Sequence, residues 1–504
     1  MALLPFRGWG AYMNITINFT GGIVSPGYLK DILETATACG VEDVSFGRRQ
    51  QLKMELPAKH TALFNKLCAE KNIQFYKAGE VLPNIVSSYP AANIFTADTW
   101  LKEGVYKDIF YALDHTPQLK INVCDSSQSF VPFFTGHINW IASPNLHYWY
   151  LYIRFPKTHT VYCWPELIYT NDVAQVSKQI EALLLQDHKT FYANDKADGK
   201  QLFTSFKQKH TYISKSIETE LVLPKFYLPY YEGFNKVDNH YWLGIYRRDE
   251  LFPVSFLMNV CDICLETKIG QLYTTPWKSI IVKGIEQTNR ILWDRVLGKY
   301  RINVRHAANE LNWQVGDTGE EGLVLKRHIV RYFDKEDVRT YGLSFAVQIY
   351  ASSSMFGSVI IRKQQNKNPH KLKSLERFDI LYNPDFNPNS DELIMYRDGV
   401  EKDHIGTYLV SLCKLFYSHE SDVDAVYTVN PQPAIHITPE KNTRIIHQCT
   451  HCFTVYNEVK GDAENNIAAG TSFNDLPSSY HCPLCDADKK DFVEVEESSL
   501  LLQV

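Results

Sequence analysis

Two cysteine pairs, Cys449-Thr450-His451-Cys452 and Cys482-Pro483-Leu484-Cys485, stand 29 residues apart near the C-terminus. A Cys-x-x-Cys pair forms a short turn whose two sulfurs point the same way, so two such pairs offer four thiolates to one metal ion. A segment of about fifty residues has a small hydrophobic core, so a bound metal must supply much of its stability. The spacing therefore predicts a tetrahedral four-sulfur site. Zinc and iron both suit thiolates, and the ligand set alone does not separate them.

The residues around the cysteines narrow this choice. Gly461-Asp462 and Gly470-Thr471 predict turns. A small aromatic core is predicted from Phe473, Leu476, Pro477, Tyr480 and Phe492. Together with its cysteine spacing, the predicted domain 445–495 resembles rubredoxin along its whole length. The resemblance implies one iron, cycling between Fe2+ and Fe3+, held by Cys449, Cys452, Cys482 and Cys485, with zinc as the alternative metal.

Three positions depart from the usual rubredoxin pattern. Phe453 and Asp486 stand where the family has glycine after each cysteine pair, and Tyr480 stands where it has tryptophan. Glycine adopts positive φ without strain, whereas phenylalanine does so poorly, so the first cysteine turn is expected to be reshaped. The neighbouring histidines, His447, His451 and His481, are predicted to be surface residues because four cysteines complete a tetrahedron.

Charge is distributed unevenly over the 504 residues, whose formal net charge is -5. Residues 445–504 contain ten acids and three bases, a net charge of -7, which leaves +2 for the preceding 444 residues. Such an acidic segment repels nucleic acid and favours a redox partner, donor or acceptor, with a basic docking face, although a merely solubilising surface explains it equally well.

The expected location is the cytoplasm. The first ten residues lack the sustained apolar core of a signal peptide, and no run of eighteen apolar residues predicts a membrane span. Seven cysteines remain outside the two pairs, an odd number without a disulfide framework, which fits a reducing compartment.

An internal duplication is predicted in the body of the chain. Strand 13–19, a helix begun by Ser25-Pro26, strand 41–54 and helix 58–71 recur about 228 residues later. The counterparts are strand 241–246, a helix after Pro253, strand 271–282 and a following helix in which Ile291 matches Leu63. A second correspondence relates strands 148–152 and 161–169 to strands 378–382 and 393–396, each set followed by a helix.

These patterns predict an α+β fold with four body units, a linker and the small metal domain. The predicted bounds are 13–80 and 240–312 for two half-domains, 81–192 and 323–420 for two larger sheet-and-helix units, and 429–440 for a proline-bearing linker.

Gly21-Gly22-x-x-Ser25-Pro26-x-x-Leu29, taken with Phe46-Gly47-x-Arg49-Gln50, resembles the ferredoxin-like half-domain of nitrite and sulfite reductases. That family alternates two half-domains with two sirohaem-type domains. The resemblance implies that basic and amide side chains bind sirohaem carboxylates and anionic substrate. Here those side chains would be Arg49, Gln50, Lys53 and Lys278; the alternative is a solvated strand face.

The family's four cluster cysteines have no counterpart here, because between residues 344 and 421 the chain has only Cys413. Cys261 and Cys264 stand at i and i+3 on an apolar helix face and are expected to pack in the core. The leading hypothesis is therefore an electron carrier rather than a catalytic reductase. An active sirohaem-type reductase fed by the rubredoxin segment and a zinc-binding interaction scaffold are the alternatives. Whether the cleft binds a tetrapyrrole stays open.

Overall fold

The computed structural model describes residues 12–95, 100–305, 307–317, 320–350, 355–365, 376–390 and 392–429. From 445 to 496 it describes all residues except 452–453, 457, 459–460, 463–464, 466, 484 and 486. The chain divides into two compact units, one up to Val423 and one from Asp424 onwards. The predicted linker 429–440 lies outside the described residues apart from Val429.

The first part of the body is a small sheet with two helices. Its elements are β1 (Tyr12–Ile17), β2 (Ile23–Val24), α1 (Pro26–Ala38), β3 (Asp43–Phe46), β4 (Leu52–Pro57), α2 (Thr61–Glu70) and β5 (Tyr76–Lys77). Ser25 begins α1 as predicted, since its side chain accepts a hydrogen bond from the Tyr28 N–H at 3.3 Å and Pro26 follows it.

A larger sheet follows. Its elements are β6 (Ile85–Ser87), α3 (Glu103–Ala112), β7 (Ile121–Cys124), β8 (Ile138–Ala142), β9 (Tyr148–Arg154), β10 (Val161–Cys163), β11 (Glu166–Tyr169), α4 (Val173–Gln186), α5 (His188–Phe191), α6 (Gly199–Lys207) and β12 (Ser214–Ser216). The strand order is β12-β11-β9-β8-β7-β6, with β6, β7 and β8 parallel and the later strands antiparallel. Buried tryptophans 140, 149 and 164 fill its core.

The third part repeats the first. Its elements are β13 (Gly233–Val237), β14 (His240–Ile245), β15 (Phe252–Pro253), α7 (Val254–Glu266), β16 (Leu272–Thr274), β17 (Ile280–Ile285) and α8 (Arg290–Lys299). Helices α1 and α7 pack against each other, and one hydrophobic core contains side chains from both parts. The two half-domains therefore fold as a single pair.

The fourth part repeats the second in shorter form. Its elements are β18 (Trp313–Val315), α9 (Glu321–Lys335), β19 (Phe345–Gln348), β20 (Val359–Lys363), β21 (Arg377–Tyr382), β22 (Ile394–Glu401) and α10 (Lys402–Val429). Strands β18, β19 and β20 are parallel, and β21 and β22 are antiparallel, as in the second part.

Sheet topology shows how the two half-domains are joined. One five-stranded sheet has the order β15-β3-β4-β1-β5, and the other has the order β2-β16-β17-β14-β13. Strand β15 of the second half-domain pairs with β3 in the sheet of the first, and β2 of the first half-domain pairs with β16 in the sheet of the second. Each sheet therefore receives one edge strand from the other half-domain. This exchange makes the duplication pseudo-symmetric.

The predicted single strands 41–54, 271–282 and 161–169 are wrong, because each is broken. The first is the hairpin β3–β4, turned at Gln50 with φ of 62°, and the second is the hairpin β16–β17, turned at Lys278 with φ of 58°. These two turn residues lie 228 positions apart. The third divides into β10 and β11 around Trp164, whose N–H bonds to β9. Polar and apolar residues alternate across each break, and this alternation predicts a continuous strand rather than a turn.

The small C-terminal domain has a three-stranded antiparallel sheet. Its strands are β23 (Ile445–Cys449), β24 (Val455–Tyr456) and β25 (Phe492–Glu496), in the order β24-β23-β25. Its buried core includes the predicted Phe473, Leu476, Tyr480 and Phe492 together with two cysteines.

Among the described residues, no helix has both the length and the apolar character needed to cross a membrane.

Candidate metal centre and basic cavity

Three of the four predicted ligands converge in the C-terminal domain. The sulfurs of Cys449, Cys482 and Cys485 all lie within 4.8 Å of one another, and those of Cys449 and Cys485 are 3.7 Å apart. Thiolates at roughly 2.3 Å from a metal in a tetrahedron would be separated by about 3.8 Å. The observed spacing fits that edge. The fourth predicted ligand, Cys452, lies outside the described residues.

Backbone hydrogen bonds shape both cysteine turns in the same way. The Cys449 N–H donates to the Thr454 carbonyl at 2.9 Å, and the Cys482 N–H donates to the Ala487 carbonyl at 2.8 Å. Each bond spans five residues, so each turn folds the chain back just after its cysteine pair. Because Cys449 also pairs with Phe492 in the ladder of β23 and β25, the sheet holds the first turn in place.

Burial differs among the three thiols. Cys449 and Cys482 are fully buried, whereas Cys485 is exposed. On the buried side, the rings of Tyr480 and Phe492 lie 6.0 Å apart, and Tyr480 donates a hydrogen bond to the Asp462 carboxylate at 3.0 Å. Burial of this hydroxyl beside a carboxylate raises the pKa of Tyr480, so it stays a neutral donor.

The nearby histidines divide into two environments. His451 and His481 are predominantly exposed, with side-chain exposures of 61% and 52%, as predicted. The prediction that His447 is a surface residue is wrong. Its ring stacks on Phe473 with centroids 4.0 Å apart, and only 13% of the side chain is exposed. His447 lies in the middle of β23, which places its ring over Phe473, a contact that the cysteine spacing did not predict.

The body contains a cavity of about 340 Å³ that we call the basic cavity. Its basic lining residues are Arg48, Arg49, Lys120, Arg154 and His159. Its other lining residues are Val86, Val131, Pro132, Phe133, Phe134, Thr135, Val161, Pro276, Gln314, Met355, Phe356, Gly357, Ile360, Asn383, Pro388, Asn389, Ser390 and Leu393. None of the described lining residues is acidic, so the cavity is strongly cationic.

The electrostatics reflect this crowding of positive charge. Burial, followed by the proximity of Arg49, lowers the pKa of Lys120 to about 8. Burial lowers the pKa of Arg49 to about 9 and, with Arg154 beside it, the pKa of His137 to about 3. The cationic forms are destabilised here, and an anion would restore them.

The structure separates the four predicted cofactor-binding residues. Arg49 lines the basic cavity and is anchored by Asn84 and Asn122, whose side-chain oxygen it approaches to 2.7 Å. Gln50 is fully buried, and its amide donates to the carbonyls of Ser87 at 3.0 Å and Thr274 at 2.9 Å.

The two predicted lysines lie in an ion-pair network. Lys53 and Lys278 approach the Asp317 carboxylate at 3.8 and 3.7 Å, and Lys278 also contacts the buried Glu250 at 2.6 Å. Of the four predicted residues, only Arg49 reaches the cavity, and the cofactor roles stay predictions.

Lys120 and Arg154 were missed by the sequence analysis. Lys120 directly precedes β7, whose four residues are all buried, and Arg154 ends β9. A cation placed at the end of a buried strand was the available signal. The strand register puts the start of β7 and the end of β9 at the same end of the sheet.

The sirohaem-linked cluster that the resemblance implies requires thiolates at the cavity. No cysteine is among the described lining residues, and the sequence has none between Cys264 and Cys413. Cys261 and Cys264 are buried in the core shared by the half-domains, as predicted. Cys413, on α10, is buried in the hydrophobic core of the fourth part. These residues do not fit the cluster.

Comparison with known proteins gives each unit a relative. The rubredoxin family model matches residues 446–492. This chain is 46% identical to rubredoxin of Megasphaera elsdenii over 50 residues, which are 94% of that protein and 10% of this chain. It is 36% identical over 83 residues to the high molecular weight rubredoxin of Moorella thermoacetica, of which it spans only 36%.

The fold of most of the chain resembles the solved structure of Mycobacterium tuberculosis NirA protein. The two align with a TM-score of 0.61 over 84% of each chain at 13% identity. This likeness confirms the predicted fold class of the body and, at that identity, concerns the fold alone. With its cysteine turns matched along nearly the whole length of small rubredoxins, the chain belongs to the rubredoxin family through residues 446–492.

Proposed function

We propose that this protein transfers electrons one at a time on a single iron held by Cys449, Cys452, Cys482 and Cys485. The observation that carries the proposal is the 3.7 Å separation of the Cys449 and Cys485 sulfurs, the edge of a tetrathiolate tetrahedron. Iron bound by four thiolates supplies a one-electron ferric/ferrous couple. The two N–H to carbonyl bonds that close the cysteine turns would hold the thiolates in place around the metal.

The asymmetric burial of the thiols supports a route for electrons. Cys449 and Cys482 face the aromatic core, which excludes water, while Cys485 reaches the surface. A partner that docks over Cys485 would approach the metal most closely. Solvent exposure and local hydrogen bonding also tune the potential of such a site.

Charge supports a partner with a basic face. Acidic side chains on the domain surface include Asp475, Asp488 and Glu494, within a segment of net charge -7. Long-range attraction of this kind accelerates association and weakens as salt screens it. We expect electron transfer to the partner to slow steeply between low and physiological ionic strength.

The body is proposed to contribute binding rather than six-electron reduction of nitrite or sulfite. Its described cavity residues include no thiol, and the sequence offers none between Cys264 and Cys413. We place the protein in the reducing cytoplasm, where its scattered cysteines would stay free thiols, as the structure has them.

Metal analysis with an absorption spectrum tests the proposal. Protein expressed with iron should be red, contain one iron per chain and lose its colour on addition of one electron per chain. Cys449→Ser should abolish the colour, while Cys163→Ser, which alters an exposed thiol of the body, should preserve it. A colourless protein with one zinc would refute electron transfer and favour the scaffold alternative. Sirohaem absorption with more than one iron per chain would instead revive the reductase.

A further inference from the structure

Strand β22 is an open edge of the sheet in the fourth part. The strand order is β18-β19-β20-β21-β22, so β22 pairs with β21 on one side and with no strand of the described chain on the other. Residues 393–396 begin this edge, and Leu393, Ile394 and Met395 are 41%, 37% and 46% exposed. Successive residues of a strand point to opposite faces, so both faces of the edge are open here.

This edge lacks the features that normally protect a strand from pairing with another chain. Edge strands are commonly protected by being short or by carrying lysine or proline. Three other edge strands of the body follow that rule, since β5, β12 and β13 carry Lys77, Lys215 and Lys236. Strand β22 has eight residues, and residues 393–396 are all apolar or aromatic. An exposed edge of this kind is typical of a surface that binds another strand.

The backbone register shows which groups of this edge face outward. Asn383 donates its N–H to the carbonyl of Ser358, which precedes β20, so the backbone groups of Tyr382 face β22 instead. Because Tyr382 pairs with Ile394, the backbone groups of the residues on either side of Ile394 face away from β21. A second strand would form its hydrogen bonds with these outward groups.

Opposite charges flank the apolar residues of the edge. Glu392 precedes them, Arg397 follows them, and both residues are exposed. Arg397 lies where the register with β21 shifts at a bulge, and its guanidinium lies 4.4 Å from the centroid of the Tyr396 ring and 5.2 Å from that of Tyr408. Arg397 therefore shares one face of the strand with Tyr396. It donates to the Tyr396 carbonyl, and neither charged side chain meets an opposite charge among the described residues.

We propose that two copies of this chain pair through these edges, antiparallel, about a twofold axis at Ile394. Leu393 of each copy exchanges backbone hydrogen bonds with Met395 of the other. Glu392 stands opposite Tyr396 of the other copy, beside the Arg397 that shares its face, so each end of the contact gains an ion pair. The two five-stranded sheets become one continuous sheet. The proposal is independent of the metal centre.

The order of the residues favours a second copy as the occupant of this edge. A twofold contact requires a surface that matches itself. Here an acid, four apolar or aromatic residues and a base follow one another, so an antiparallel copy sets each acid beside a base. An axis at Met395 would instead place the bulge, with Arg397, opposite the apolar Ile394. The axis at Ile394 is therefore the register that the charges favour.

Sedimentation of the full metal-loaded chain over a range of concentrations tests the proposal. The protein should form a dimer with a micromolar dissociation constant, as expected for a small contact. Met395→Lys places a charge on the outward edge and should weaken dimerisation by about tenfold or more. Leu63→Lys alters a similarly exposed apolar residue of α2, 40% accessible, and should leave dimerisation unchanged. A monomer at every concentration, or a dimer that Met395→Lys does not weaken, overturns the proposal.

Exchange of the two charges tests the register. Arg397→Glu sets two carboxylates beside each other at each end of the contact, and Glu392→Arg sets two guanidinium groups there, so each single variant should weaken the dimer. The double variant restores opposite charges and should recover the affinity of the parent protein. A double variant that dimerises no better than the single variants would overturn the assigned register.

Hydrogen exchange resolved to single residues supplies a second readout. The amides of Leu393 and Met395 face outward and should exchange more slowly in the dimer than in the monomer. The amide of Ile394, which faces β21, should exchange at the same rate in both. A dimer without slower exchange at the two outward amides would show that another surface forms the contact.

Discussion

Replacing Cys485 by alanine should unfold the C-terminal domain although the residue lies at its surface. Cys485 is exposed, so its side chain adds little to the packed core, but its sulfur lies 3.7 Å from that of the buried Cys449. The substitution therefore removes a metal ligand without opening a cavity. Its effect measures the contribution of the metal rather than the contribution of packing.

The expected magnitude follows from the size of the core. The described domain has eight buried core residues, and a core in so small a domain rarely supplies more than about 3–5 kcal/mol. Structural metal binding by thiolate sites contributes on the order of 10 kcal/mol or more to folding. Loss of tight metal binding should consequently leave the folded and unfolded forms of the domain comparable in free energy, or favour the unfolded form.

Limited trypsin digestion followed by mass measurement is the assay. Cys485→Ala should be cut rapidly within residues 445–496, after Lys489 and Lys490, while the body up to Val423 resists digestion. Cys163→Ala removes an exposed thiol of the body and should digest like the parent protein. Equal resistance of residues 445–496 in both variants would refute a metal-dependent fold.

Three other substitutions probe local energetics. Tyr480→Phe removes a hydrogen bond to the Asp462 carboxylate and should cost about 1.5–3 kcal/mol in the metal domain, lowering its melting temperature. Glu250→Gln removes the carboxylate that contacts the buried Lys278 and Lys326 and should cost about 3–5 kcal/mol by urea denaturation. Gly22→Ala should destabilise the body by about 1–3 kcal/mol in the same assay, because φ is +79° and the new methyl would lie 2.4 Å from the Gln50 amide.

Each substitution has a matched control or condition. Tyr456→Phe removes a hydrogen bond to a neutral carbonyl and should cost less than Tyr480→Phe; the reverse order would contradict the assigned charge effect. Gly27→Ala, where no atom lies within 4 Å of the new methyl, should be neutral or stabilising, and a loss equal to that of Gly22→Ala would contradict the steric argument.

For Glu250, pH gives the control. The two lysines lower its folded pKa to about 2 although burial opposes the shift, so its stabilisation is present above the ordinary carboxyl pKa of 4.5. That contribution is lost as pH falls from 4.5 through about 2. The parent protein and Glu250→Gln should therefore differ most near neutral pH, and a constant difference down to pH 2 would exclude this role.

The internal repeat shows how far local patterns predict the body. Apolar periodicity and the Ser25-Pro26 signal predicted α1, and the 228-residue offset predicted its counterpart α7. The exchange of β2 and β15 between the two sheets was not predicted. Each strand is only two residues long, so its pairing depends on which sheet edge the tertiary fold brings beside it.

The positive-φ turns show why the predicted strands were too long. Gln50 and Lys278 carry positive φ despite having side chains, and neither residue type predicts such a turn. Gln50 is held by buried hydrogen bonds to Ser87 and Thr274, and Lys278 by its ion pair with Glu250. These partners are 28 to 224 residues away along the chain, beyond the reach of a local pattern.

The sequence by itself predicted the thiolate centre, because two short turns with fixed cysteine spacing place the ligands locally, and the structure brings three of the four predicted cysteines together. It also determined the repeated α+β organisation through the periodicity of apolar residues. Only the tertiary structure decided the basic cavity, since Lys120, Arg154 and Asn383 come from separate strand ends. These side chains line one cavity only because packing brings their strand ends together, and the sequence spacing does not encode that packing.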